Sequence, residues 1–538
     1  MRSLQPPALA RAIGTIAIAA AIGGCARGPT LLAPDKRTSI DRAVVERPLG
    51  LELTTFIPNL TAPTAIAFDN AEGPYKGSVL VAEAGLDDRE PRLFGFRADG
   101  TRFNLYPKTT NPLIRITSDE VRIYGPIGGV AVRDGEVFIS HRDREGRGMI
   151  SAFGYNRTRR TVVSDLPAQG DFSVTDLAFH PTNGRLYFGV GAATNSGVVG
   201  IDNWDAGWVR KHPTVCDVPA VALRLRESRF DTPNPTGGLL GGNDIAVTAP
   251  FQPFGTGKRL RIPASATDKP TAALYSISPG GGDLRVEAHG IRHPRGLAFN
   301  EFGNLLVTND GMEMRGTRPV KDDPDAVIRI PPGGGTWFGW PDFSADLVPI
   351  TDSRFQPAAE MIIRTGYPEI FPLIDHQGSG LIPPDRPTLV RGTFDSLSGA
   401  SKMALVGEQP GFGAARGNLL VALSGDRSPF ATSGVKLRGP IGFKIVQLDP
   451  DSKQSSDFIY NTSGMPASRG KKNPLALERP TDVKFGPDGS LYIVDLGEID
   501  YARGKAGVKA GSGKVLRLAP APVPAASPAA PPATRSAR

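Results

Sequence analysis

Residues able to bind, ligate or move protons gather at a few places in this 538-residue chain. Glu83, the run His141-Arg142-Asp143, Thr194-Asn195, Asn309-Asp310, Asp426-Arg427 and Asp495 each close a short apolar stretch. Asp171, Arg292-His293 and Arg479 each stand just before one. Carboxylates, amides and guanidiniums in this mixture suit a pocket for a polar, anionic or metal-bearing ligand. The other reading is that the ends of apolar strands are polar because they meet solvent. The two readings separate on whether the stretches converge.

The stretches are copies of one unit. It has an apolar-alternating strand, a Gly/Asp/Asn turn and a second alternating strand, which is a β-hairpin by period and turn chemistry. Pro63–Asp69 leads to Ser78–Glu83, and Pro126–Val132 leads through Asp134-Gly135 to Glu136–His141. Val174–Phe179 leads through Asn183-Gly184 to Arg185–Gly191, and Pro294–Phe299 through Gly303 to Asn304–Asn309. Pro480–Phe485 leads through Asp488-Gly489 to Ser490–Asp495, and a weaker copy runs from Ser398 to Gly417–Ser424. Ala326–Ile330, Lys444–Leu448 and Lys514–Leu518 read as third strands. A lone hairpin cannot bury both its faces. Six copies with about four strands each predict an all-β fold, a six-bladed β-propeller. A pair of β-sandwiches is the alternative, and no Greek-key spacing supports it. In a hairpin the first strand begins where the second ends. The polar residues above are therefore expected around one mouth of the central channel.

The rest of the chain reads by composition. Arg2 and Arg11 precede an apolar run, Ile13–Ile22, too short to span a membrane and followed by Gly23-Gly24-Cys25. This resembles a lipoprotein signal, which implies a signal peptide over 1–24 and lipidation of Cys25; an ordinary secretory signal with a chance cysteine is the alternative. The remainder divides into a tether over 25–48, the propeller over 49–519 and a low-complexity Ala/Pro-rich tail, read as disordered, over 520–538. Residues 199–272 read as a large inserted loop. With Cys25 acylated, Cys216 has no internal partner, so the core and not a disulfide must hold the fold. The net charge of +8 comes without a dominant basic run or a stacking motif, which argues against nucleic acid as a partner. The expected setting is outside the cytoplasm, membrane-attached through the lipid. Ala26 stands where an Asp would, by resemblance, favour inner-membrane retention, so the periplasmic face of the outer membrane is expected.

Several runs resemble the pyrroloquinoline-quinone (PQQ)-dependent soluble glucose dehydrogenase and L-sorbosone dehydrogenase family. They are Gly290–Phe299 followed by Gly303–Gly311, Asp322-Asp323 with Trp337–Phe343, Tyr187–Asn195 and Arg479–Gly489. The resemblance covers roughly residues 60 to 518 apart from the insertion. It implies a six-bladed quinoprotein that oxidises a sugar at its anomeric or aldehyde carbon. A histidine base takes the hydroxyl proton while hydride passes to PQQ, and Ca²⁺ with Arg/Lys groups holds the cofactor. Carried over residue by residue, Asn195 falls where an amide meets the quinone, although Thr194 replaces the usual Arg before it. Arg427 falls on a cofactor-carboxylate arginine, with Asn309 and Asp310 also at the cofactor. Gly311 and Met312 fall where backbone carbonyls bind Ca²⁺.

The departure is the base. Phe172 occupies the place of the family's histidine, and a phenyl ring accepts no proton. His141 or Asp171 is then the candidate catalytic base. His180 lies at an inter-strand turn, His212, His289 and His376 read as loop residues, and His293 sits where the family tends to carry Asn. Three functions follow: a PQQ-dependent sugar dehydrogenase, a non-catalytic propeller binding carbohydrate or an envelope partner, or a Ca²⁺-dependent lactonase with Glu83, Asn195, Asn309 and Asp495 as ligands.

Overall fold

The computed structural model describes residues 28–522 except 110, 112–113, 115–119, 238–242, 258–262, 362–368, 436, 438, 471 and 502–505. The signal peptide, Cys25 and the tail from 523 onward lie outside the described residues.

Each hairpin copy seeds one sheet of four or five strands, antiparallel but for the edge pair of Arg285–His289 with Thr336–Trp337, and there are six such sheets among the described residues. Their inner strands are Pro63–Asp69, Val130–Arg133, Val174–Phe179, Pro294–Phe299, Ala400–Leu405 and Pro480–Phe485, in blades I to VI. Each inner strand packs against that of the next blade, and the last packs against the first, so the ring closes. The chain is a six-bladed β-propeller. Blade VI is completed by the beginning of the chain: Leu51–Leu60 pairs antiparallel with Gly513–Pro520. Val45–Glu46 adds an edge to Ser455–Asn461 in blade V.

The core lies between blades. Ile66 and Val81 of blade I meet Val494 and Val515 of blade VI, and Phe138 of blade II meets Phe188 of blade III. Val307 of blade IV meets Leu274 of blade III. Burying each such side chain contributes roughly 1.5–3 kcal/mol. A second device sits nearer the axis, where hydroxyls donate across the blade gaps. Thr64 Oγ1 donates to the Ile127 carbonyl (2.7 Å), Ser140 Oγ to Thr175 (2.7 Å) and Thr175 Oγ1 to Pro294 (2.5 Å). Thr308 Oγ1 donates to Ser401 (2.7 Å) and Ser401 Oγ to Thr481 (2.7 Å). The ring is completed by Asp482, whose carboxylate accepts the Ile66 N–H (3.1 Å). These bonds fix the rotation of one blade against the next, and hence which strand ends share the mouth.

The segment expected as an inserted loop lies between Leu186–Val190 and Ala273–Ile277 of blade III and carries structure of its own. It holds two short helices, Ile201–Asp205 and Trp208–Lys211, and the hairpin Phe230–Pro233/Ile245–Thr248. It shares an apolar core with the long excursion of blade IV through Trp337, Phe343, Leu373 and Ile374.

Candidate active site at the mouth cavity

A cavity of about 240 Å³ lies at the ring axis, lined from all six blades by Thr64, Gly128, Phe172, His293, Asp310, Ser401 and Arg479 among others. On its polar side Lys402 Nζ donates to the Thr64 carbonyl (2.8 Å) and lies 3.6 Å from both Asp176 and Asp482.

The pair with the clearest chemistry is His293 and Asp310. His293 precedes Pro294, which holds it extended, and the pairing of Pro294 with Asn309 places it across from Asp310. His293 Nδ1 lies 2.8 Å from Asp310 Oδ2. A hydrogen bond to a carboxylate puts the proton on Nδ1 and the lone pair on Nε2. Nε2 has no protein partner among the described residues, and the side chain lines the cavity. Burial pushes the ring's pKa down to about 4 against the pull of Asp310, so the ring is neutral at neutral pH. Burial would raise the Asp310 carboxyl, but His293, Arg295 and Arg427 hold it below its usual value.

Phe172 stacks on the His293 ring at 4.0 Å and 21°. Arg292 and Arg427 lie 4.7 and 5.6 Å from the phenyl centroid. Gly191 makes this approach possible, since a Cβ there would stand 2.3 Å from Phe172 Cβ. The phenyl ring at the expected base position is thus the platform for an imidazole delivered by the next blade.

Behind this pair is a buried ion network. Glu313 lies 2.5 Å from both Arg315 and Arg427 and 3.6 Å from Arg292. Arg315 also binds Asp171 (2.6 Å) and Asp202 of the insertion. The three guanidiniums overcome burial and hold the Glu313 carboxyl far below its usual range. Asp202 is pushed up to about 6, first by burial and then by Asp171, with Arg315 opposing.

The expected site residues divide accordingly. Asp171, Asp310, Gly311 and Arg427 line the cavity. Asp171 is no free base: it accepts from Arg315, from Asn203 Nδ2 (3.0 Å) and from Trp208 Nε1 (2.8 Å). His141 is corrected outright. It is fully buried in blade II, with Nε2 2.8 Å from Ser151 Oγ and Nδ1 2.8 Å from the Arg142 carbonyl. Ser140 points its hydroxyl at the neighbouring blade, so His141, one residue on, points to the opposite face. Asn195 is saturated: Oδ1 accepts from Arg292 (2.9 Å) and Glu313 N–H (2.8 Å), while Nδ2 donates to the Glu313 (2.8 Å) and Arg315 (3.2 Å) carbonyls. Thr194 donates to Asp217 (2.5 Å).

Three of the expected lactonase ligands are likewise engaged, by backbone N–H groups. Glu83 accepts the Thr61 N–H (2.7 Å), Asn309 the His293 N–H (3.0 Å), and Asp495 those of Glu478 and Arg479 (2.7 and 2.8 Å). Each fastens the chain just before the inner strand of its own blade, so the recurrence reflects the repeat and not a metal.

The expected Ca²⁺ position does not fit a metal. Arg292 Nη1 donates to the Gly311 carbonyl at 2.7 Å, and its remaining nitrogens bind Asn195. A fixed guanidinium therefore sits where a dication would bind. Met312 gives its N–H to Asp323 (2.7 Å) and its side chain to the apolar core. No cluster of three or more His, Cys, Asp or Glu able to hold a metal occurs among the described residues. An anionic quinone fits better: Arg295 and Arg427, about a quarter exposed, both reach the cavity.

Glu313 and Arg315 were not expected at the site, and His293 and Arg292 were expected at the mouth without a catalytic or cofactor role. The hairpin register opposing His293 to Asp310 was the available signal for His293. No local pattern signals Glu313 or Arg315, which belong to a loop closed by contacts with blade III.

No family model and no curated protein matches the chain. Among solved structures, the holo PQQ domain of pyranose dehydrogenase from Coprinopsis cinerea overlaps 89% of this chain and 98% of its own, at 14% identity and a TM-score of 0.49. A Thermus thermophilus protein assigned as an oxidoreductase (glucose dehydrogenase) overlaps 87% and 99%, at 19% identity and a TM-score of 0.41. A protein assigned as a gluconolactonase overlaps 91% and 97%, at 11% identity and a TM-score of 0.35. The propeller fold stands on the closed ring of inner strands, independently of these likenesses.

Proposed function

We propose that the mouth cavity is the active site of a sugar-oxidising protein in which His293 is the general base. The observation carrying this reading is the His293 ring, hydrogen-bonded to Asp310 with Nε2 unengaged by the described residues beside the cavity. Nε2 takes the hydroxyl proton of the substrate as hydride leaves the same carbon, because hydride departs readily from a developing alkoxide. Asp310 stabilises the imidazolium that forms, and Phe172 keeps the ring in plane. Arg295 and Arg427 would hold the carboxylates of PQQ, which when bound would supply the hydride acceptor. Arg292 supplies the fixed positive charge at the Gly311 carbonyl, so this reading includes no calcium.

The test is dye reduction by the protein with PQQ and a panel of aldoses, with and without Ca²⁺. His293→Gln is expected to lower kcat by roughly 10²–10⁴ while quinone binding persists. A protein that neither alters the quinone absorbance nor reduces dye is a ligand-binding propeller, a reading favoured by the saturation of Asn195. Attachment through Cys25 to the periplasmic face of the outer membrane belongs to the same proposal. Cys25→Ala is expected to move the protein into the soluble fraction.

A further inference from the structure

The geometry points to a carboxylate-binding subsite on Arg142, in the funnel outside the cavity, which makes the substrate an acidic saccharide. This rests on the sugar-oxidising reading and deepens it. The funnel has a volume of about 680 Å³ and shares the walls Leu86, Pro126, Asp171, Ser173, Arg427 and Tyr501 with the inner cavity. A ligand whose reacting carbon sits at His293 therefore extends past these residues into the funnel.

Arg142 ends the strand Glu136–Arg142 and lines the funnel. Arg142 is half-buried and its guanidinium is poorly partnered. Nη2 donates to the Gly170 carbonyl at 3.3 Å, Nε is sealed from solvent without a partner, and Nη1 has none among the described residues. The nearby acids are engaged elsewhere: Asp171 by Arg315, Asn203 and Trp208, and Asp143 by Arg147 at 2.9 Å. Burial lowers the Arg142 pKa to about 10 with Asp171 opposing, so the group stays charged at neutral pH. Among the other funnel cations Arg427 pairs with Glu313, Lys211 faces Asp88 at 3.8 Å and Arg89 donates to the Val508 carbonyl at 3.3 Å, while Arg122 and Arg144 also line it. A half-buried guanidinium whose Nη1 has no protein acceptor among the described residues and whose Nη2 has one at 3.3 Å can take a ligand carboxylate through two parallel N–H···O bonds. Tyr124 and Trp208 also line the funnel.

The test compares binding of D-glucuronate and D-glucose to the mature protein by calorimetry, without quinone. A charge-assisted pair predicts a preference of roughly 10- to 100-fold for glucuronate. Arg142→Met is expected to reduce that preference to within about 2-fold, and Arg142→Lys, which keeps the charge, to retain part of it. Equal affinity for the two sugars, binding of neither, or a preference unchanged in Arg142→Met overturns the subsite. If Arg142→Met does not fold, Arg142→Lys with an undiminished preference overturns it as well. His293→Gln should leave the preference intact. A glucuronate preference without any dye reduction keeps the subsite and removes the oxidation reading. Equally fast oxidation of neutral and acidic sugars removes the subsite alone.

Discussion

Replacing Asp310 by Asn tests the proposed base without relying on turnover. In the native protein the carboxylate accepts from Nδ1 at 2.8 Å, so Nε2 carries the lone pair. An Asn side chain at the same place can donate to Nδ1, which moves the ring proton to Nε2 and leaves no base facing the substrate. Removing the carboxylate also removes an influence that raises the His293 pKa, so Asp310→Asn shifts that pKa further down and the ring stays neutral. The change is therefore one of tautomer and not of charge. With a pKa of about 4, native His293 is roughly 90% neutral at pH 5, against about 3% for a histidine at its ordinary value.

The assay is ¹⁵N NMR of protein labelled at its six histidines, with His293→Gln identifying the signal. At pH 5 the native protein should show the Nδ1–H form for His293, and Asp310→Asn the Nε2–H form. Turnover, where present, should fall by roughly 10²–10⁴, the loss expected when a base is presented in the wrong tautomer. A native His293 that is half protonated between pH 6 and 7, or a tautomer unchanged by the substitution, refutes the reasoning.

Three further outcomes follow. Adding 1 mM Ca²⁺ or a chelator should leave the melting temperature unchanged, whereas a calcium site with Kd near 10 μM would add roughly 2.7 kcal/mol. Gly191→Ala should drive Phe172 off the His293 ring, because the new Cβ meets Phe172 Cβ at 2.3 Å; unaltered His293 resonances would contradict the stacking. His289 is buried outside the cavity and held at about 4 by desolvation, below its unfolded value of 6.5. Between those values the unfolded chain binds more protons, so this contribution is complete above pH 6.5 and is lost as pH falls through 4. Native protein should therefore lose roughly 3 kcal/mol relative to His289→Gln between pH 7 and pH 4 in urea unfolding, and a pH-independent difference would count against it.

Much of the architecture is legible because the strands nearest the axis carry it. Pro294–Phe299 and Leu305–Asn309 alternate around a tight turn, and that local signal recurs in the other blades. The outer strands are harder to read: Arg159–Leu166 and Val390–Ser396 mix polar and apolar residues because one side meets solvent. The closing strand has no local signal at all, since Leu51–Leu60 acquires its partner from the opposite end of the chain. The inserted segment reads as a loop because its short helices and hairpin depend on packing against the excursion of blade IV.

The site shows the same division between local and non-local information. Strand-end position brings Asp171, Asp310 and Arg427 to the cavity, but it cannot say which way a side chain points, and His141 turns into its blade. The base is a sharper case. Blade starts are rotationally equivalent, so the residues before the inner strands of blades III and IV are spatial neighbours at one wall. The phenyl ring of Phe172, where the base was expected, lies 4.0 Å from the ring of His293 in blade IV. Arg292, one residue before His293, places its guanidinium on the Gly311 carbonyl, where the metal was expected. Adjacent residues at one strand start thus stand at both expected positions, through contacts between blades that the local pattern of blade III does not carry.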